Sequence, residues 1–169
     1  MQGLFIGEIH TGCMKILATE AVFHRKAAVD CFNRAWDLLD KKKRSEEENL
    51  QMLHLAHTSR YHWGLVGTPK HLAVGEWQIS RIYAELREPR LALLFAKSCL
   101  ETCKSNGLRE ITNTADEAMA RAYAVAKNYR RAQTHLERAR KELAALTLGK
   151  EDRSIYLEQL RQTEALIPS

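Results

Sequence analysis

Proline occurs only at positions 69, 89 and 168 of this 169-residue chain, and glycine only eight times. Inside a helix glycine costs about 1 kcal/mol and proline about 3 kcal/mol, so the positions of these residues mark where helices end. Between Cys13 and Lys42 neither appears, and comparably uninterrupted stretches follow. Hydrophobic residues make up 45% of the chain and charged residues 28%, which is the composition of neither a disordered nor a membrane-spanning protein. The fold class expected is all-α.

Breakers and caps divide the chain into about seven antiparallel helices. In the first, ending near Lys42, Ala28, Phe32, Ala35, Trp36 and Leu39 recur at the three-and-four spacing of a buried face. The basic run Lys41 to Arg44 suits the carbonyl end of a helix dipole. Ser45 followed by Glu48 has the spacing of a capping box and opens a second helix over about 46–63. Gly64, Gly67 and Pro69 close it, and Thr68-Pro69 and Glu88-Pro89 start the third and fourth. Asn106-Gly107 ends the fourth, and the remaining helices are expected over about 110–127, 129–147 and 151–166. One domain is expected over 13–169, preceded by a loose segment, 1–12.

An internal repeat runs through this division. Tyr83-Ala84, Arg90 and Ala92 recur forty residues later as Tyr123-Ala124, Arg130 and Ala132, and Ala96 and Cys99 are matched by Leu136 and Ala139. Small residues at these places let two antiparallel helices approach closely. On these residues the chain resembles the tetratricopeptide-repeat family over roughly 70–147. The resemblance implies a right-handed stack of helical hairpins, and a non-enzymatic module that binds a protein or peptide in the groove lined by the first helix of each hairpin. Trp63, Trp77, Arg81, Tyr83 and Tyr123 are then the candidate groove residues. The run His54 to Trp63, with Gly67-Thr68-Pro69 and Gly75 to Arg81, is similar to a group of small uncharacterised bacterial tetratricopeptide-like proteins, which implies a bacterial, cytoplasmic setting.

Charge and cysteine content narrow the partners. The net charge of +5 is a modest excess that tolerates anionic partners without demanding them. On the sixth helix Lys127, Arg130, Arg131, Arg138 and Lys141 share a face, but no aromatic residue is interleaved and acidic residues flank it. A solvated outer face is the expectation there, and nucleic acid is not the expected partner. Cys13, Cys31, Cys99 and Cys103 form no CxxC pair and read as intracellular thiols. The N-terminal residues have neither the basic region nor the apolar run of a signal peptide, and no run is long enough to span a bilayer. No phosphate-binding glycine loop or nucleophile elbow is present. A stack of three hairpins has apolar faces at its two ends, which makes a homo-oligomer a further possibility.

The one constellation with chemical content is a group of four histidines, His54, His57, His62 and His71, within eighteen residues. A short turn at 64–69 would bring helices two and three together antiparallel, with His57 level with Glu76 and His62 level with His71. Glu76 lies in the apolar stripe of Leu72, Ile79, Tyr83 and Leu86, where an unpaired carboxylate is costly. Arg60, Arg81 or an imidazole could partner it. Two readings stay open. In the leading one these side chains form a structural hydrogen-bond network and no cofactor is bound. In the alternative, His54, His57, His62, His71 and Glu76 hold a divalent metal such as zinc, in a metal-binding protein or metal-dependent enzyme, or form an acid/base pocket without a metal.

Overall fold

The structure, a computed structural model, describes residues 18–168; the segment 1–12 and the expected helix start at Cys13 lie outside the described residues. Seven α-helices and no strands are present among them: α1 (Ala18–Leu39), α2 (Glu46–Val66), α3 (Pro69–Glu85), α4 (Pro89–Ser105), α5 (Thr112–Val125), α6 (Tyr129–Ala145) and α7 (Lys150–Glu164). The all-α fold read from the breakers is the fold found. None of these helices is long and apolar enough to cross a membrane.

Local chemistry sets the helix ends. Ser45 and Glu48 close a reciprocal capping box at the start of α2. Pro69 and Pro89 occupy first-turn positions of α3 and α4, where the missing N–H has no role to lose. The Asn128 side chain accepts from the Arg131 N–H at the start of α6. At the end of α1, Arg44 donates through one guanidinium nitrogen to the carbonyls of Leu38, Leu39 and Lys41, and through the other to Glu85 of α3 at 3.0 Å. One side chain thus caps the first hairpin and ties it to the second.

The helices α3, α4 and α5 end in the same way. Glu88 N–H bonds the Tyr83 carbonyl and Arg87 N–H that of Ala84; Asn128 and Lys127 repeat this on Tyr123 and Ala124, and Leu108 and Gly107 on Cys103 and Lys104. This is the Schellman arrangement, which requires a left-handed residue after the helix. Gly107 takes that conformation without strain, but Arg87 (φ 61°) and Lys127 (φ 58°) do so with a side chain. Lys127→Gly is therefore expected to stabilise the protein by about 0.5 kcal/mol, the released strain being larger than the added chain entropy of glycine. Urea unfolding reads this directly, and an unchanged midpoint would show that the left-handed turn carries no strain.

The helices pair as hairpins, α1 with α2, α3 with α4 and α5 with α6; α3 also packs on α2 and α5, α4 on α5, and α7 on α5 and α6. The forty-residue period extends back into α2. Met52, Ala92 and Ala132 are all fully buried, as are Ala56, Ala96 and Leu136, and Ser59, Cys99 and Ala139. Each set is one layer of the second helices of the three hairpins. Ala35, Met52, Leu55, Ile79 and Ile82 fill the first junction, and Ala120, Leu136, Leu143 and Leu160 seat α7 on the last. In α5 every residue from Asn113 to Ala124 is buried, so this short helix is the centre of the molecule and its charged side chains must find partners inside.

Candidate partner-binding groove

Along α1 and the turn that follows it, Val29, Phe32, Trp36 and Asp40 stand three to four residues apart and line one side, each at least partly exposed. Opposite them α3 presents His71, Val74, Trp77 and Arg81 at the same spacing. The two rows meet at Trp36 and Trp77, whose rings are 5.4 Å apart, and at Gln78, whose amide donates to the Phe32 carbonyl at 3.0 Å. A groove results, with a different chemistry at each end.

At one end lies a cavity of about 210 Å³ walled by Val29, Phe32, Trp63, Lys70, His71 and Val74. The Trp63 and His71 rings are stacked 4.0 Å apart at 20°. Gly67 permits this: a Cβ there would stand 2.6 Å from the Trp63 carbonyl oxygen and 3.1 Å from both the indole and the His71 Cβ. The Thr68 N–H donates to His71 Nδ1 at 3.1 Å, so the neutral ring carries its proton on Nε2. Burial, then the charges of Arg25 and Lys70, lower the His71 pKa below the ordinary histidine value, which keeps the ring neutral at pH 7.

At the other end α7 completes the walls. Here a cleft of about 460 Å³ is lined by Trp36, Asp40 and Arg81 on one side and Glu158, Gln159 and Gln162 on the other. The Arg81 guanidinium lies over the Trp36 ring at 5.4 Å and donates through Nη2 to Gln162 at 2.6 Å. Its Nη1 is buried, with no hydrogen-bond partner among the described residues. Burial, and after it the like charge of Arg121, bring the Arg81 pKa down to about 10. The carboxylates of Glu117, Asp40 and Glu85 act against this lowering.

Beneath the groove a buried carboxylate fixes the floor. Glu117 of α5 accepts from Trp77 Nε1 at 3.0 Å, from Arg121 Nε at 2.8 Å and from the Thr163 hydroxyl of α7. Burial alone pushes this carboxyl up, but Arg121, Arg81 and the two neutral donors overcome it and hold it below the ordinary glutamate value. Trp77 and Glu117 are one repeat apart, and so are Arg81 and Arg121. The network is the polar counterpart of the apolar repeat, binding α3, α5 and α7 at one point.

Of the expected groove residues, Trp63, Trp77 and Arg81 lie along this groove, Trp77 as its floor with only 6% of its surface exposed. Tyr83 and Tyr123 are occupied elsewhere, in matching ways. Tyr83 stacks on Phe95 and shares a hydrogen bond with His57 at 3.2 Å, while Tyr123 stacks on His135 with Arg131 over its ring. Of the expected buried face of α1, Ala28 and Ala35 are fully buried, while Trp36 packs against the core and is also the central side chain of the groove.

The four histidines go to separate places. His54 is exposed, His57 meets Tyr83, His62 shares an Nδ1 to Nδ1 hydrogen bond of 2.7 Å with His24, and His71 joins Trp63. Glu76 takes Arg60 at 2.8 Å and the Thr102 hydroxyl at 3.0 Å rather than His57. The reason is register: α2 continues through Gly64 to Val66, the turn shrinks to Gly67 and Thr68, and the level of each residue on α3 moves. Among the described residues no group of three or more histidine, cysteine or acidic side chains is placed to hold a metal ion.

One repeat beyond Glu76 and Thr102 stand Asp116 and Glu142. His135 Nδ1 donates to Asp116 at 2.6 Å, and Glu142 keeps one buried oxygen without a donor among the described residues. Burial and the neighbouring Asp116 raise the Glu142 pKa to about 7 from an ordinary 4.5. A carboxyl raised in the folded state favours folding while it is protonated. Its penalty therefore appears as pH rises from about 4.5 and is complete above about 7. Glu142→Gln is expected to stabilise by a few tenths of a kcal/mol at pH 5 and by about 1 kcal/mol at pH 8, solvent screening having reduced the effect of this half-exposed group. Urea unfolding at the two pH values measures the difference, and an equal effect at both would contradict it.

Comparison of the chain with models of known protein families, with characterised proteins and with solved structures finds no match in any of the three.

Proposed function

We propose that this chain is a non-enzymatic helical-repeat module, built in the manner of tetratricopeptide-like stacks, whose groove between α1 and α3 binds a segment of a protein or peptide. The observation that carries the reading is the open cleft beside Trp36 and Arg81, where the guanidinium is stacked on the indole and its Nη2 is bonded to Gln162 at the surface. Aromatic side chains and arginine are the residues that dominate binding energy at protein interfaces, and an acidic side chain of a partner can take the Arg81 Nη2 in place of Gln162. Hairpins packed in sequence, the forty-residue period and the resemblance seen in the sequence all support the same reading.

Selection from a displayed library of twelve-residue random peptides tests it with the full chain. Enriched peptides are expected to carry an acidic residue, and to bind Arg81→Met or Trp36→Ala about tenfold more weakly while binding Arg130→Ala normally. Circular dichroism confirms that each variant is folded. No enrichment, or binding insensitive to both groove substitutions, would contradict the proposal.

A further inference from the structure

The cavity at the far end of the groove gives the partner a second, more specific requirement. At about 210 Å³ it is smaller than the roughly 300–1,000 Å³ usual for sites that take drug-sized molecules, and it is walled by three aromatic rings and two valines. That is room for one large apolar side chain. The walls are set in advance: Gly67 allows the Trp63–His71 stack, and Thr68 fixes the imidazole. A rigid socket of this kind is what an interfacial anchor residue fills.

The rim is cationic. Lys70 lies on the lip, its ammonium 3.6 Å from Glu110 in a pair that is about half exposed at both ends and so holds it weakly. Arg25 stands one turn before the cavity-lining Val29 on the same face of α1, and makes no ion pair among the described residues. The neutral His71 ring carries a donor, not an acceptor, at Nε2. Among the described residues no carboxylate lines the cavity. An apolar floor under a positive lip complements an apolar side chain flanked by acidic residues.

We propose that the partner segment, on the reading of the groove given above, inserts a phenylalanine, leucine or tryptophan between Trp63, Phe32 and Val74, with acidic neighbours on the Lys70 and Arg25 rim. Charge sets which segments are admitted, and the socket sets where along the groove they stop.

Three acetylated and amidated ten-residue peptides test this on the full isotope-labelled chain: one phenylalanine between pairs of glutamates in a glycine-serine background, the same peptide with alanine for phenylalanine, and the same with lysines for glutamates. The Trp63 indole resonance is the reporter. The acidic phenylalanine peptide is expected to shift it saturably, with at least tenfold tighter binding than the other two. Val74→Trp fills the socket and is expected to abolish the shift; Val29→Phe does the same from α1, should the first variant fail to fold. Lys70→Glu is expected to weaken the acidic peptide about fivefold and to strengthen the lysine one.

Equal binding of the acidic and basic peptides, or binding untouched by Val74→Trp and Val29→Phe, overturns the proposal. So does an equally tight saturable shift with octanoate, which would make the cavity a site for small amphiphilic anions. Peptides from the library that depend on Arg81 but not on Val74 or Lys70 would leave the groove reading standing and remove this one. Failure of every peptide in both experiments removes both.

Discussion

Replacing Glu117 with alanine is expected to lower the free energy of unfolding by about 3–5 kcal/mol, which is a large part of what a domain of this size has. The carboxylate is 2% exposed and is the acceptor for three donors on α3, α5 and α7. Without it the Arg121 guanidinium, itself 8% exposed, is left as a buried charge that keeps only a 3.3 Å bond to the Gln159 carbonyl. Arg81 loses the carboxylate that does most to support its charge as well. Glu117→Gln, which keeps an acceptor but not the charge, should cost about half as much. The double variant Glu117→Met/Arg121→Met should recover much of the loss, because removing both charges leaves neither one stranded. Urea unfolding followed by circular dichroism supplies these numbers, and a cost below about 1 kcal/mol for Glu117→Ala would mean that the network does not join the three helices.

Leu136→Ala is expected to cost about 3–4 kcal/mol. Leu136 is wholly buried where α5, α6 and α7 meet, among Ala120, Ala139, Leu143 and Leu160. Two of these neighbours are alanines, whose methyl groups cannot swing into the space, so the cavity should persist and the cost should fall in the upper part of the range for such substitutions. Leu160 is one of only two buried residues of α7, so its seat is lost together with Leu136. Amide exchange should therefore accelerate in α7 before it does so in α1 or α2. Uniform acceleration throughout the chain would show instead that the seventh helix is no separate cap but part of one cooperative core.

Much of the fold was legible because helix ends are written in residues with strong local preferences. Ser45 with Glu48, Pro69, Pro89 and Gly107 each act through a few neighbouring backbone groups, and each stands where the sequence placed a boundary. Gly64 misled: a glycine inside a helix costs only about 1 kcal/mol, and α2 accepts that cost and continues to Val66. A side chain turns by about 100° for each residue of shift, so this small error separated His57 from Glu76 and gave Glu76 to Arg60. The apolar repeat was legible for the same reason that boundaries were, since alanines in register are a simple signal. Its polar half was missed. Trp77 with Glu117, Arg81 with Arg121, and Glu76 with Asp116 are all forty residues apart, and a comparison of charged positions at the period already found would have revealed them. The groove itself lies between α1 and α3, helices of different hairpins, and no pattern within either one specifies which of its residues the other leaves uncovered.

The three tryptophans provide the most direct test of the central claim that the groove between α1 and α3 receives a partner segment. Trp36 stands at its centre, Trp77 beneath it on Glu117 and Trp63 at its apolar end, so their indole N–H resonances report on separate points along one path. Titration of a library-selected peptide into the labelled full chain is expected to shift the Trp36 resonance and, with an apolar anchor present, that of Trp63, while residues on the basic face of α6 stay unmoved. Shifts centred on Arg130 and Arg138 of α6 with the Trp36 indole unchanged would contradict it.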